Sequence, residues 1–344
     1  VPHRTFLFFI LPSAVAMFLF IALPIGSVIL QSLHVEHGQV LVEVESCTPF
    51  GGCKTQTRVD AEATAALRAE APLGRWNGLG TYMNRAHLAT AELGEIFRSD
   101  TTLREKFAQV YQLRFYRALF FTLIYTFVVT PAGIIVGFWI ALAVNRLPQM
   151  LKGPVIFVSL LPMIITPLIG SLVLYWMLNS RGILGKALQW LSGNPDLSIA
   201  ASGPLMWVSL ILYGIWIAAP FSFVVFYAGL QTVPDDTLES AMIDGANRWE
   251  RVRYVVIPHL MPLATFVSLV QVMDNFRVLE PIVGFNAEAH AMSLSSIIYT
   301  DLQAENGQLF GSAAATSMLT IGFVVILLSP VLVRTWREFG KRAH

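Results

Sequence analysis

The chain has 344 residues, 55% of them hydrophobic and 13% charged, with a formal net charge of +1. Soluble domains carry about 25% charged residues, so the polar groups here are too few to cover a globular surface, and hydrocarbon must be part of the solvent. The near-neutral balance also excludes a global field of the kind that gathers nucleic acid.

A helix needs about 20 apolar residues to cross the hydrocarbon core of a bilayer. The first run of that length is Phe6–Leu30. It exceeds the apolar core of a cleaved signal peptide, about 7–15 residues, and is expected to persist as an anchor, giving a first region 1–30. Almost no hydrophilic lead precedes it, so native residues ahead of Val1 are expected.

Residues 31–117 read as a small extracytoplasmic subdomain, with a disordered linker as the plainer alternative. Asp60–Ala71 is rich in Ala and Glu and predicts a helix. The spacing of Leu93, Ile96, Phe97, Leu103, Phe107, Val110 and Tyr111 predicts one amphipathic helix over Leu93–Leu113. The chain's two cysteines, Cys47 and Cys53, flank Thr-Pro-Phe-Gly-Gly, and Pro49 with Gly51 and Gly52 lets the chain turn back. On the oxidising side of a membrane such a pair is expected to join, adding about 2–3 kcal/mol of local order. Two free thiols are the alternative. Two thiols without nearby His fall short of a zinc site, and no metal is expected.

Five more runs follow: Ala118–Val144, Val155–Leu178, Leu205–Leu230, Leu260–Phe285 and Ala313–Val333. Pro12, Pro24, Pro131, Pro162, Pro167 and Pro220 fall inside the spans. Membrane helices tolerate proline because neighbours satisfy the freed carbonyls. So many prolines point to kinked helices lining a pathway, against ordinary membrane-helix proline.

On the fourth run, Tyr213 and Trp216 lie one turn apart, with Tyr227 further along. Aromatic faces suit stacking on sugar rings, although core or lipid-facing aromatics give the same pattern. The fifth run carries Gln271, Asp274, Asn275, Arg277 and Glu280. Charges at membrane depth are costly and normally face protein or water. The spacing of Asp274, Arg277 and Glu280 predicts that all three share one helix side, either lining a pathway or sealing a subunit interface. Gly284 marks a candidate helix break. In the last run Gly311, Ser312, Ala314 and Ala315 allow close helix packing.

Lys and Arg in short loops set the orientation. Arg4, Arg146, Lys152, Arg248, Arg251, Arg253, Arg334, Arg337, Lys341 and Arg342 all fall on one side of a six-span scheme. The opposite loops, Asn179–Pro204 and Asn286–Ser312, hold only Arg181 and Lys186. Both termini and the loop around Glu239 are therefore expected in the cytoplasm.

That loop carries the most specific signal. Pro234-Asp235-Asp236 reads as a helix start, with acidic residues at the positive end of the dipole. Gly245 interrupts the helix formers and can supply a left-handed turn. Trp249, Val252, Tyr254, Val255 and Val256 give a second piece an apolar face, and Pro258 is expected to close it before the fifth span.

Glu239, Ser240, Ala241, Asp244, Gly245, Ala246 and Pro258 occupy the register of the EAA loop: Glu-Ala-Ala, two residues, Asp-Gly-Ala, then a hydrophobic series ending in Pro. The segment resembles the cytoplasmic loop of permease subunits in binding-protein-dependent ABC importers, and Gly229–Pro234 resembles the lead-in of carbohydrate-type members. The resemblance runs from about Leu119 to the C-terminus and is closest to maltose-type and glycerol-phosphate-type permeases. Ser240 replaces Ala, Val252 stands where Phe is common, Val255 where Ile is, and Ile257 where Leu is. After the fifth span, Gly284–His290 replaces the Thr-Gly-Gly-Gly-Pro common in carbohydrate members, which puts the solute in doubt.

The resemblance implies an all-α integral membrane protein of six transmembrane helices with the type I importer fold. Its permease core is 118–336, including a coupling segment 234–258, with a tail 337–344. It implies a non-enzymatic transport subunit in the inner membrane of a bacterium. Its partners would be a second homologous permease, two copies of a cytoplasmic ATPase and a periplasmic solute-binding protein. The chain has no Gly-x-x-x-x-Gly-Lys-Ser/Thr phosphate loop, so ATP and Mg belong to the ATPase and no cofactor is expected here. The expected solute is a sugar, polyol or glycoside, with a polyamine or other small solute as alternative. A secondary transporter would show inverted repeats, and a membrane enzyme would show a convergent catalytic set; neither is evident.

Overall fold

The computed structural model describes residues 3–48, 52–304 and 309–342. The chain divides into two compact units, Val1–Tyr116 with Ile297–Gly322, and Arg117–Ser296 with Phe323–His344.

In the first unit the N-terminal helix runs through His3–Met17, a π turn at Phe18–Ala22, and Leu23–Ser32. The π turn directly precedes Pro24. Proline has no N–H and its ring crowds the carbonyl four residues back. A wider turn, in which the Leu23 N–H donates to the Phe18 carbonyl, absorbs that conflict without ending the helix.

The segment after it folds, with helices at the expected places and strands that the sequence reading lacks. Ala61–Glu70 is helical, and the Asp60 side chain accepts from the Glu62 and Ala63 N–H groups as its cap. The single helix read over Leu93–Leu113 is instead two, Thr90–Arg98 and Leu103–Gln112. The break is chemical: Thr102 and Glu105 form a capping box, which starts a new helix. Leu41–Thr48 and Gly52–Val59 pair as an antiparallel hairpin, and His34–Val35 pairs with Arg75–Trp76. The β-branched residues on either side of the Pro-Phe-Gly-Gly stretch carry this signal. The register sets Cys47 directly opposite Cys53. Opposed residues in such strands have Cα atoms about 4.5–5.5 Å apart, within the reach of a disulfide. The sulfur positions lie outside the described side chains.

This unit also holds a polar knot. Arg114 donates to the Asp301 carboxylate at 2.9 Å and to Thr300 Oγ1 at 2.7 Å. Ser312 Oγ donates to the other Asp301 oxygen at 2.7 Å, and the buried His87 ring lies 3.1 Å from the Ser312 carbonyl. Asp301 is buried. Gly311 allows the close approach expected of it, here to the end of the N-terminal helix: its N–H donates to Glu36, and a Cβ there would overlap the His34 carbonyl and touch the Gln31 carbonyl.

Among the described residues five single helices are long and apolar enough to cross a membrane: Phe8–Ser32, Arg114–Asn145, Gly203–Leu230, Arg248–Phe276 and Phe310–Pro330. A sixth candidate, the third in chain order, is a pair: Gln149–Ile164 and Pro167–Leu178 meet at 95°. The sequence reads this stretch as one span. Thr166, held extended before Pro167, turns the chain.

In the second unit the second and fourth spans touch through small residues. A Cβ on Gly133 would lie 2.9 Å from Ala218 Cβ, and one on Gly137 2.7 Å from the Ala219 carbonyl. The Gly-x-x-x-Gly spacing lets backbones approach where hydrophobic burial gives little drive. One core cluster includes Phe121, Tyr125, Met206, Leu210, Tyr213 and Phe285. A second includes Leu142, Phe223, Phe226, Val252, Val256 and Leu260, and supports the Glu239 loop.

Candidate functional site

The loop that follows the fourth span opens with the helix Asp235–Ile243, whose first turn holds Asp235 and Asp236. Its end explains the Ala-x-x-Asp-Gly-Ala spacing. Asp244 is the C-cap, and Gly245 follows with φ +82°. The Gly245 N–H donates to the Met242 carbonyl at 3.1 Å, and the Ala246 N–H to the Ala241 carbonyl at 2.9 Å. These two bonds are the Schellman motif, in which the left-handed residue is normally glycine. Ala241 and Ala246 are thus joined backbone to backbone. Nothing lies within 4 Å of a Cβ built on Gly245, so the backbone angle, not space, requires glycine there.

Ser240 Oγ donates to the Asp236 carbonyl at 2.8 Å and stays within its own helix. Glu239 and Asp244 are exposed. Ile243, the last residue of the helix, is exposed.

The second piece departs from expectation. Asn247 and Glu250 form a capping box, and Arg248–Arg251 leads through a π turn, Val252–Val256, into Ile257–Phe276. Pro258 closes nothing. As at Pro24, the π turn takes up the proline, here with the Ile257 N–H donating to the Val252 carbonyl. The second helix of the loop is therefore the beginning of the fifth span, and a force on the Gly245 turn acts on a continuous helix.

The fifth helix stops at Phe276, not at Phe285, and a short helix Glu280–Gly284 follows. Asp274, Arg277 and Glu280 consequently do not share one helix side. Arg277 donates to Asp274 at 2.9 Å, with side chains 62% and 58% exposed. Gly284 is not the break. It lies in the short helix, and its missing side chain lets Ser171 of the bent third span approach. Ser171 Oγ, which donates to the Leu168 carbonyl at 2.8 Å, also reaches the Glu280 carbonyl at 3.3 Å.

Two interrupted helices, at Pro167 and at Arg277–Leu279, meet at a cavity of about 480 Å³. Asp274, Asn275, Arg277, Glu280, Tyr125 and Ser295 give it polar walls. Membrane-embedded sites are typically built from discontinuous helices whose freed backbone and charges face a cavity. Asn275 is fixed by donating to Thr130 Oγ1 at 2.9 Å.

Of the other pathway candidates Tyr213 also lines this cavity, whereas Gln271 and Trp216 do not. Gln271 is buried and donates to the Ala218 carbonyl and Ser222 Oγ, each at 2.7 Å, tying the fifth span to the fourth. Tyr213 is buried, and its hydroxyl donates to the Pro167 carbonyl at 2.6 Å, satisfying an acceptor at the bend. Trp216 is 44% exposed and borders an apolar recess with Ile169 and Leu212 rather than the polar cavity. Tyr125, Glu280 and Ser295 complete the polar walls. Tyr125 and Ser295 carry no pattern of their own; the signal that points to this place is the pair of prolines, Pro167 and Pro281, interrupting two apolar runs.

Residues 107–338 match the family described as binding-protein-dependent transport system inner membrane component. The chain is 31% identical over 223 residues to the inner membrane ABC transporter permease protein YcjO of Escherichia coli, covering 62% of this chain and 73% of that one. It is 27% identical over 224 residues to the trehalose/maltose transport system permease protein MalF of Thermococcus litoralis, covering 62% and 71%. It is 29% identical over 232 residues to the sn-glycerol-3-phosphate transport system permease protein UgpA of Yersinia pestis, covering 64% and 76%. In fold it is similar to a chain of a bacterial ABC transporter involved in the import of the acidic polysaccharide alginate, with TM-score 0.56 and 18% identity over 79% of this chain and 95% of that one.

Proposed function

The chain belongs to the family of binding-protein-dependent transport system inner membrane components, and on that premise we propose that it forms half of the pathway of an ATP-driven importer for a sugar, polyol or glycoside. The relatives named for trehalose/maltose and sn-glycerol-3-phosphate support this solute class. In this reading a second permease completes the channel, two ATPase subunits bind and hydrolyse ATP with Mg, and a periplasmic binding protein delivers the solute. The loop around Glu239 and both termini face the cytoplasm of a bacterial cell.

The observation that carries the coupling role is the Schellman turn at Gly245, set on a helix that continues unbroken into the fifth span. Closure of an ATPase dimer around the Asp235–Ile243 helix then moves the whole fifth span. That span ends at the polar cavity, so motion at the loop reaches Asp274, Asn275 and Arg277. Those three residues, with Glu280, line the pathway. Gln271 and Tyr213 hold its walls in place.

The test is uptake by vesicles that contain this chain, its partner permease, the ATPase and the binding protein. Labelled trehalose, sn-glycerol-3-phosphate and spermidine are offered in separate arms, with and without internal ATP. ATP-dependent uptake of the first or second supports the reading. ATP-dependent uptake of spermidine alone rejects the solute class but keeps the importer. Uptake driven by an ion gradient without ATP rejects both.

A further inference from the structure

Below the Glu239 loop, where the second, fourth and fifth spans end, lies a recess of about 470 Å³. Arg146, Arg248 and Arg251 line it, with Leu142, Val252 and Val256 as its apolar floor. No acidic side chain lines it, and among the described residues none of the three arginines forms an ion pair. Arg251 Nε is buried with no hydrogen-bond partner. A buried guanidinium nitrogen without an acceptor is costly, and three unpaired arginines around one recess call for an anion.

A neighbouring recess of about 300 Å³ shares Arg146 and Arg248 and is walled by Trp139 and Trp249. These two indoles stack with centroids 5.9 Å apart and planes 5° from parallel. Tryptophan concentrates where hydrocarbon meets headgroups. Along the second span Val128, Ile135 and Trp139 are exposed, and Arg146 is exposed just past its end. The spacing of Val128, Ile135 and Trp139 sets these three on one helix side, and Arg146 follows in the turn at its end. An apolar stripe thus runs to an indole pair and then to guanidinium groups, the order of acyl chain, glycerol and phosphate in a phospholipid. A phospholipid would use the arginines and the adjoining lipid-facing stripe together, whereas a soluble anion would use the arginines alone.

We propose that Arg146, Arg248 and Arg251 bind the phosphate of an anionic phospholipid whose acyl chain lies along Val128, Ile135 and Trp139. Arginine forks match phosphate geometry, and basic pockets between membrane helices suit anionic headgroups. The lipid would fill the space between the loop helix and the span ends, because Leu238 of that helix also borders the recess. It thereby links bilayer composition to the stiffness of the loop. The inference rests on the membrane reading of the spans and is independent of the transported solute.

The assembled transporter, purified in detergent, is titrated with phosphatidylglycerol, phosphatidylcholine or inorganic phosphate, and bound lipid is counted by native mass spectrometry. The parent should retain phosphatidylglycerol over phosphatidylcholine, and millimolar phosphate should not displace it. Replacing all three arginines (Arg146→Gln, Arg248→Gln, Arg251→Gln) should weaken phosphatidylglycerol binding roughly 100-fold. The matching triple Lys variant keeps the charge, and retention of the lipid by it separates lost charge from misfolding. Equal retention by parent and Gln variant overturns the proposal. So does displacement by inorganic phosphate, which assigns a soluble anion. So does a Gln variant that keeps its lipid but sheds the ATPase subunits, which assigns an acidic protein partner.

Discussion

Two arginine–carboxylate pairs in this chain have the same length, 2.9 Å, and opposite characters. Asp274 and Arg277 are three residues apart, more than half exposed, and have each other as their side-chain partner at the end of a helix. Arg114 and Asp301 are 187 residues apart. The Asp301 side chain is 3% exposed, and Thr300 and Ser312 share the work of satisfying the pair. The exposed pair is screened and contributes little to stability, which leaves its charges available to a solute or a partner. In the other pair the Asp301 carboxylate has lost its water and depends on Arg114, which keeps part of its own. Distance alone says nothing about which pair holds the fold and which is left open to other partners; burial and the second set of partners decide.

The sharpest way to break this contrast is to remove one member of the buried pair. Arg114→Ala leaves the Asp301 carboxylate enclosed with only the Ser312 hydroxyl, and should cost about 3–5 kcal/mol, nearer the lower figure because Arg114 is itself partly exposed. Unfolding of the purified chain in SDS titrations measures it. A loss below about 1 kcal/mol would place this pair with the surface kind.

A smaller effect is expected where one local backbone angle is at stake. Gly245→Val forces a β-branched residue to φ +82° and should cost about 1–2 kcal/mol. The loss falls on the Schellman turn, so ATPase stimulation by the loaded binding protein should vanish while the complex still assembles. Normal stimulation would remove the coupling role from the turn.

The smallest stability change belongs to the exposed pair. Asp274→Asn with Arg277→Gln should alter stability by less than about 1 kcal/mol, and each single change should do no worse. Transport is the readout that matters there. A double variant that assembles and transports at the parental rate would reject a pathway role for both residues.

The Glu239 loop is readable in the sequence because its structure is built from near neighbours. A glycine after a run of helix formers, with alanines before and after it, specifies a turn whose hydrogen bonds span only a few residues. The same holds for the helix at Ala61–Glu70 and for the first, second, fourth and last apolar spans. Reading fails where two local rules compete. Pro258 reads as a terminator, yet a π turn keeps the helix whole. The apolar run from Leu260 to Phe285 reads as continuous, yet its helix ends at Phe276.

Local spacing was therefore enough for the first, second, fourth and last spans, the family register of the loop and the left-handed turn at Gly245, since each depends on a pattern that the chain carries wherever it goes. Which polar groups meet was settled by the folded chain alone. The 95° bend at Pro167 is held by Tyr213, the break after Phe276 faces that bend across the cavity, and Arg114 finds Asp301. These contacts join residues dozens to nearly two hundred positions apart. Their partners are fixed by the path of the backbone and by the cost of leaving a polar group unpaired away from water, neither of which is written in local spacing.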